Sequence, residues 1–209
     1  QQLAAELRAL GAEAEYWRAD VRHEDDVRNL IDKTVAQFGG LDIAVNNAGT
    51  EGHPGPVTDV SAESYAATFD TNVLGTLLSM KHELRVMQPR GQGNIVNLSS
   101  ALGKIGTPGA SVYVASKHAV EGLTKAAALE AVAFGVRVNA VAPGPVETGM
   151  FNRFTGGNAD AKASFVAHVP ANRTATPEEI AQTIMFVASD KAPYMIGASI
   201  PVDGGKLAS

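Results

Sequence analysis

Hydrophobic and polar residues switch between helix-type and strand-type patterns along the whole chain. The stretch HEDDVRNLIDKTVAQFGG begins with acidic residues, places apolar side chains at Val27, Leu30, Ile31 and Val35 and ends on two glycines, which predicts an amphipathic helix. The buried strand LDIAVNNAG follows it directly. The other predicted elements are, in chain order, a helix to about Leu10, a strand over AEAEYWRADV closing on Asp20, helices over 61–88 and about 111–134 with the strand GNIVNLSS between them, the strand VRVNAVAPG, a helix over 176–189 and the short strand ASIPVDGG.

This alternation predicts the fold class. Strands separated by helices of 12 or more residues imply parallel crossovers, with helices on both faces of the sheet. We therefore expect an α/β, doubly wound, Rossmann-like and mostly parallel sheet, with residues 1–209 forming a single domain. In such sheets ligands bind beyond the carboxyl ends of the strands, here the segments ADV, NNAG, NLSS and APGPVET.

Composition narrows the possible partners. The 209 residues are 45% hydrophobic and carry a formal net charge of -5, with no cluster of Lys and Arg, which argues against nucleic acid or an anionic membrane surface. No apolar run reaches the roughly 18 residues of a membrane span. Cysteine is absent, which excludes disulfides and thiolate metal sites and agrees with a cytoplasmic protein. Histidines are not paired at ligand spacing, so we expect no metal centre.

Each strand end is polar or rich in glycine, but each also has an ordinary interpretation. Asp20 could cap the next helix, and the turn Asn46–Gly49 could be a plain turn that uses the conformational freedom of glycine. Ser99 and Ser100 could be turn hydroxyls, and Pro143–Pro145 could stiffen a loop. A tyrosine four positions before a lysine on one helix face is also common. Taken singly, none of these features predicts a function.

Taken together, the segments RADV, NNAG, TNVLG, IVNLSS, YVASK, NAVAPGPVET and VDGG resemble the short-chain dehydrogenase/reductase family in order and spacing. The resemblance covers essentially the whole chain. Its most specific part is the set Ser100, Tyr113 and Lys117, spaced by thirteen and by four residues. The resemblance implies an enzyme that uses NAD or NADP to interconvert a small-molecule secondary alcohol and a ketone by hydride transfer.

The resemblance implies four catalytic residues, and for two of them the chemistry can be stated directly. An unperturbed tyrosine, with a pKa of about 10, is a poor proton donor or acceptor at neutral pH. Lys117 lies one helical turn beyond Tyr113, and we expect its ammonium to lower the pKa of Tyr113. Ser100 would donate a hydrogen bond to the substrate oxygen. By resemblance, Asn72 joins a proton relay through water to Lys117, and its place in a predicted helix suggests a helix irregularity.

The resemblance also implies a set of cofactor contacts. Lys117 would hydrogen bond the nicotinamide ribose, beside Tyr113. Asp20 and Val21 would contact the adenine ring, and Asn47, Ala48 and Gly49 would lie along the adenosine side. The nicotinamide carboxamide would be held by Pro143, Gly144, Val146 and Thr148.

The chain departs from the family in one respect. The family's glycine-rich turn of the TGxxxGxG type, which receives the pyrophosphate at a helix N-terminus, is not in this sequence. The residue that would distinguish NAD from NADP is missing as well. Without the first two family strands we expect a gap between EYWRA and LDIAV. Three explanations stay open: a fragment of a longer polypeptide, a naturally shortened form with new strand pairing, or a partner chain that supplies the strands.

Two further regions bear on substrate and assembly. Residues 149–175 mix Met150 and three phenylalanines with paired glycines, which indicates a mobile lid over an apolar or mixed pocket. The helix HAVEGLTKAAALEAVAFG is apolar on more than one face, and the resemblance implies subunit packing there, commonly in a homotetramer. Two other functions remain open: a catalytically silent nucleotide-binding or scaffold protein, and, less favoured, an epimerase or dehydratase acting on a nucleotide sugar.

Overall fold

A computed structural model describes all of residues 1–209. It contains eight α-helices and four β-strands, joined by short 3-10 turns. In chain order they are α1 (Gln2–Ala9), α2 (Glu24–Phe38), β1 (Ile43–Asn46), α3 (Ala62–Phe69), α4 (Gly75–Met87), β2 (Gly93–Leu98), α5 (Ser111–Ala131), β3 (Val136–Pro143), α6 (Gly149–Phe154), α7 (Ala159–Ala167), α8 (Pro177–Ala188) and β4 (Ser199–Val202).

The four strands form one parallel sheet in the order β1-β2-β3-β4. Its register places Asn46 opposite Asn97 and Val141 opposite Ile200. Six of the eight β3 residues are apolar, the exceptions being Arg137 and Asn139, and six of the eight are buried, as expected for a parallel strand covered on both faces. The predicted α/β, doubly wound class is confirmed.

Two apolar clusters hold the helices against the two faces of the sheet. On one face, buried alanines of α5, including Ala127, Ala128 and Ala131, pack with Met80 and Met87 of α4. Small side chains let α5 approach β3 closely, since an alanine adds little bulk between a helix and a sheet. On the other face, Ile180, Val187 and Ala188 of α8 pack against Val96 and Val141. The tight packing of α5 matters because its first turns carry Tyr113 and Lys117.

The predicted strand over residues 12–21 is wrong. Residues 12–20 form no helix or strand, and β1 pairs only with β2, with no strand on its other side. Alternating side chains such as those of AEAEYW suit a strand, but a strand exists only when its backbone groups find a partner. Trp17 packs edge-on against Phe38 of α2, with 6.3 Å between ring centroids. The expected gap beside LDIAV is therefore visible as an unpaired edge of β1.

Two other expectations concern helices. The predicted irregularity at Asn72 is confirmed, because Asp70–Leu74 form a π-helical turn between α3 and α4. Such turns insert an extra residue and are frequent at functional sites. The region predicted as a lid contains two helices, α6 and α7, rather than one long loop. None of the helices combines the length and the apolar character needed to cross a membrane.

Gly135 offers a test of the packing between the two turns that precede β2 and β3. Its φ is +72°, and a Cβ there would lie 2.3 Å from the carbonyl oxygen of Gly91. Gly135→Ala should lower the free energy of unfolding by about 2 kcal/mol or more, because both the positive φ and the backbone contact oppose a side chain. Urea denaturation measures this change.

Gly122→Ala is the matched control. Gly122 lies within α5, and a Cβ there would meet nothing within 4 Å. Alanine is favoured over glycine inside a helix by about 1 kcal/mol, so this variant should be as stable as the parent or more so. Equal urea midpoints for Gly135→Ala and the parent would contradict the close approach at Gly91.

Candidate active site

A cavity of about 820 Å³ opens where the carboxyl ends of the strands meet α5 and the α6–α7 region. Its walls are mostly apolar and include Phe151, Phe154 and Phe165. Most of the residues that the sequence singles out line this cavity: Asn47, Ala48, Gly49, Ser100, Tyr113, Lys117, Pro143, Gly144, Val146 and Thr148. The exceptions are Asp20, Val21 and Asn72. The topology thus brings together residues that are far apart in sequence.

Tyr113 and Lys117 project from the first turns of α5, one helical turn apart. The Nζ atom of Lys117 lies 5.7 Å from the centroid of the Tyr113 ring and donates a hydrogen bond of 2.8 Å to the carbonyl of Leu98, at the end of β2. Lys117 is only 6% exposed. Burial, which disfavours the charged amine, lowers the pKa of Lys117 to about 8. A buried cation therefore lies next to the phenol.

The expected lowering of the Tyr113 pKa is wrong for this structure. The pKa of Tyr113 is raised, first because the phenol in the cavity wall is largely removed from water and further because the Glu51 carboxylate is near. The Ser100 hydroxyl acts in the opposite direction and lowers the pKa of Tyr113. Burial disfavours a phenolate more than the nearby groups favour it. The sequence shows the spacing of Tyr113 and Lys117 but not how deeply the two side chains are buried.

Ser99 and Ser100 lie where β2 leads into a 3-10 turn, Ala101–Gly103. The Oγ atom of Ser100 accepts a hydrogen bond of 3.1 Å from the Leu102 amide, which leaves the Ser100 O–H free to donate. The Ser99 hydroxyl is buried without a partner. A Cβ on Gly103 would lie 3.0 Å from the Lys117 carbonyl oxygen, so glycine allows this turn to pack directly on α5.

Asn72 lies outside the cavity wall, with its side chain 1% exposed. Its Oδ1 accepts from the Thr50 amide at 2.8 Å, and its Nδ2 donates to the Thr50 carbonyl at 2.9 Å and to Ser116 Oγ at 3.0 Å. The amide group thus fixes the loop after β1 to helix α5. We call these three hydrogen bonds the Asn72 clamp. The relay role implied by the resemblance stays a prediction.

The segment after β3 also packs closely against a neighbouring stretch of backbone. A Cβ on Gly144 would lie 2.8 Å from Asp203 Cα, so no larger residue fits there without movement. Thr148 caps α6 by accepting from the Phe151 amide at 3.4 Å, and its hydroxyl donates to the Val146 carbonyl at 3.3 Å. These contacts fix the stretch that the resemblance connects with the nicotinamide.

Asp20 and Val21 lie away from the cavity. The carboxylate of Asp20 forms an ion pair with Arg22 and accepts the Arg22 amide, and these bonds hold the pKa of Asp20 well below its usual range. Val21 packs against Gly75, where a Cβ would lie 2.7 Å from a Val21 methyl. Their proposed contact with adenine remains a prediction.

One polar residue of the cavity was missed by the sequence analysis. Glu51 lines the cavity, is 9% exposed and forms two hydrogen bonds with Arg153 of α6, of 2.6 and 3.0 Å. The only signal in the sequence is an acidic residue two positions after the NNAG turn. Lys206, near the C-terminus, also lines the cavity. No group of three or more His, Asp or Glu side chains is arranged to hold a metal ion.

Comparisons with known proteins agree with this geometry. Residues 1–206 match a family model described as enoyl-(acyl carrier protein) reductase. The chain is 41% identical over 206 residues to cis-4-hydroxycyclohexanecarboxylate dehydrogenase of Sinomonas cyclohexanicum, covering 99% of this chain and 82% of that protein. It is also 41% identical over 202 residues to 2,5-dichloro-2,5-cyclohexadiene-1,4-diol dehydrogenase of Sphingobium indicum, with coverages of 96% and 81%.

Solved structures share the same fold at lower sequence identity. A short-chain type dehydrogenase/reductase from Mycobacterium marinum superposes with a TM-score of 0.94 at 34% identity, covering 100% of this chain and 82% of that one. NAD+-bound xylitol dehydrogenase gives 0.93 at 32% identity, with coverages of 98% and 84%. ElxO with NADP bound gives 0.92 at 33% identity, with coverages of 100% and 84%.

The burial of Lys117 predicts a pH-dependent gain in stability on its removal. A fall in pKa from 10.5 to about 8 corresponds to about 3 kcal/mol of destabilisation, of which the lost charge-assisted bond to Leu98 would offset about 2 kcal/mol. Lys117→Met should therefore raise the free energy of unfolding by about 1 kcal/mol at pH 7. Urea denaturation at several pH values measures it.

The sign of the pH dependence follows from linkage. Below pH 8 Lys117 is protonated in both the folded and the unfolded state, so the full cost of burying its charge applies. Between pH 8 and 10.5 it is protonated only in the unfolded state, so the parent gains stability as pH rises. The advantage of Lys117→Met should shrink over that interval. Lys125→Met, an exposed lysine of the same helix, should show neither effect. A constant difference from pH 7 to 10 would contradict the buried ammonium.

Proposed function

The chain belongs to the short-chain dehydrogenase/reductase family and is an NAD(P)-dependent oxidoreductase, and from this premise we propose that it interconverts a secondary alcohol and a ketone with Tyr113 as the general acid and base. The observation that carries the proposal is the convergence of Ser100, Tyr113 and Lys117 on one cavity at the carboxyl ends of the strands. The named relatives are dehydrogenases.

The residues around the cavity fit a nicotinamide cofactor. Lys117 has three N–H groups and uses one of them on Leu98, so the others can donate to the hydroxyls of a ribose. Gly49 and Gly144 allow a flat ligand to approach the backbone. The stretch Pro143–Thr148 would hold the carboxamide. When bound, the nicotinamide ring would supply or accept the hydride. Two solved structures similar to this chain carry NADP or NAD+.

Ketone reduction leaves a negative oxygen that must receive a proton. Tyr113 would donate it, because its raised pKa keeps the phenol protonated at neutral pH. Ser100 would donate a hydrogen bond to the same oxygen, because the bond that its Oγ accepts from Leu102 leaves the O–H available. Lys117 would then stabilise the phenolate that remains. Alcohol oxidation needs the phenolate at the start, so its rate should rise with pH in the alkaline range.

The walls of the cavity support a substrate of moderate size with an apolar body. Three phenylalanines from α6 and α7 contact one another edge-on, with ring centroids 6.0 Å apart for Phe151 and Phe165 and 5.3 Å for Phe154 and Phe165. Both named relatives act on six-membered carbocycles that carry hydroxyl groups. We therefore propose a ring-borne secondary alcohol as substrate.

We also propose that the protein assembles as a homo-oligomer, with a tetramer favoured. Large apolar side chains at the end of α5 and beyond it are exposed, including Leu129 at 75% and Phe134 at 51%. Tyr194, before β4, is 98% exposed. Apolar patches of this kind commonly mark contacts between proteins.

Tyr113→Phe tests the proposed chemistry. The variant keeps the ring and its packing but cannot transfer a proton, so turnover of cyclohexanol should fall by about a thousandfold or more. The affinity for NADH, measured by nicotinamide fluorescence, should change little. Tyr194→Phe, at an exposed tyrosine, is the matched control and should keep full turnover.

Two results would contradict the proposal. Turnover by Tyr113→Phe equal to that of the parent would remove Tyr113 from the reaction. Failure of the protein to bind either NADH or NADPH would favour the alternative of a catalytically silent protein that retains the fold.

A further inference from the structure

The cavity contains one carboxylate, that of Glu51, among its lining residues. Glu51 is 9% exposed, although charged side chains of this type are rarely so buried without a partner. The wall around it is mostly apolar and aromatic. A carboxylate in such surroundings must be compensated, because removal from water strongly disfavours its charge. The question is what this charged group does there.

Arg153 of α6 compensates the charge and keeps Glu51 ionised. Its Nε and Nη2 atoms donate to the two carboxylate oxygens at 2.6 and 3.0 Å, which is a bidentate ion pair. Burial raises the pKa of Glu51, but the hydrogen bonds and charge of Arg153, together with a backbone hydrogen bond and the nearby His53, lower it by more, so the net pKa lies below its ordinary value. Each oxygen can accept more than one hydrogen bond. The carboxylate is therefore ionised and still able to accept.

The backbone around Glu51 is fixed on both sides. Before it, the amide and carbonyl of Thr50 are both bound in the Asn72 clamp. After it, Gly52 has a φ of +69°, and a Cβ there would lie 2.7 Å from the Thr68 hydroxyl. A side chain on such a rigid base loses little freedom when it binds a ligand. Glu51 thus has the properties of a preorganised recognition group.

Glu51 is also near the reaction centre. Both side chains line the same cavity. In agreement with this arrangement, the Glu51 charge adds to the raised pKa of Tyr113. A ligand whose oxygen meets Tyr113 and Ser100 would therefore present its remaining substituents to a space that Glu51 also borders.

We propose that Glu51 determines substrate specificity by accepting a hydrogen bond from a second hydroxyl group of an alcohol whose first hydroxyl reacts at Tyr113. This assignment rests on the oxidoreductase function proposed above. A carboxylate accepts hydrogen bonds and cannot donate them, so it favours a diol over an alcohol that carries only hydrogen at that position. The substrate class is a carbocyclic diol or polyol.

Two other arrangements compete with this assignment. Glu51 and Arg153 could form only a latch between the β1 loop and α6, in which case all substrates would suffer equally from its loss. Alternatively Lys206, whose Nζ lies 5.7 Å from the Phe165 ring centroid in the same cavity, could select a substrate carboxylate. The first alternative predicts that loss of Glu51 leaves the ratio between substrates unchanged, and the second predicts a preference for a substrate that carries a carboxylate.

The test compares trans-cyclohexane-1,4-diol, cyclohexanol and 4-hydroxycyclohexanecarboxylate as substrates of the parent and of Glu51→Gln. The readout is the kcat/KM for the diol divided by that for cyclohexanol, because a ratio cancels any general loss of activity. In the parent the diol should be the best of the three substrates. In Glu51→Gln the ratio should fall about tenfold, because a hydrogen bond to a charged acceptor is replaced by at most a weaker one to a neutral amide.

Glu24→Gln is the matched control. Glu24 of α2 pairs with Lys81 of α4 at 2.5 Å and does not line the cavity, so removal of this ion pair should leave the ratio unchanged. An unchanged ratio in Glu51→Gln, or an equal fall in Glu24→Gln, would overturn the assignment. So would a parent that prefers the hydroxycarboxylate, because this order points to Lys206.

Saturation-transfer NMR with the same three ligands, in the presence of NADH, separates the assignment from the proposed reaction because it needs no turnover. If the parent saturates the diol more than the other two ligands and Glu51→Gln loses this preference, the role of Glu51 is supported. This holds even if no alcohol is oxidised, in which case only the proposed reaction fails. Equal saturation of the diol in both proteins overturns the role of Glu51 even if the alcohols are oxidised.

Discussion

The geometry of the cavity depends on one side-chain amide, that of Asn72. The Asn72 clamp joins three parts of the chain: the π-helical turn that carries Asn72, the loop after β1 through Thr50, and α5 through Ser116. Every donor and the acceptor of this amide is used, and the group is almost fully buried. A buried and fully satisfied amide is rigid, because loss of any partner exposes an unpaired polar group to an apolar interior. The clamp thereby fixes the position of Gly49 and Glu51 relative to Tyr113 and Lys117.

Beside this clamp the protein buries a group that reduces its stability. Lys117 is held with a single hydrogen-bond acceptor and a lowered pKa. Such a group is costly for folding and useful at a reaction centre, a combination that is common at functional sites. The apolar packing of α5 against β3 and α4 supplies the opposing stabilisation. Close approaches at Gly103 and Gly144 leave the cavity wall little room to rearrange.

Much of this arrangement could be predicted from the sequence, for identifiable reasons. Helix and strand periods gave the α/β class, and the four-residue spacing placed Tyr113 and Lys117 on one helix face. The segment 12–21 was misassigned because alternation shows that a strand could form and not whether a neighbouring strand exists. The direction of the Tyr113 pKa shift depends on burial, which no spacing reveals. Glu51 was missed because its partner Arg153 lies 102 residues away.

Amide hydrogen exchange at Thr50 measures the Asn72 clamp most directly. The account predicts that the Thr50 amide is strongly protected in the parent and exchanges much faster in Asn72→Ala, while amides of β2 and β3 keep their protection. Asn29→Ala, which removes an exposed asparagine from α2, should leave Thr50 unchanged. Free exchange of Thr50 in the parent, or full protection in Asn72→Ala, would contradict the view that this one amide organises the site.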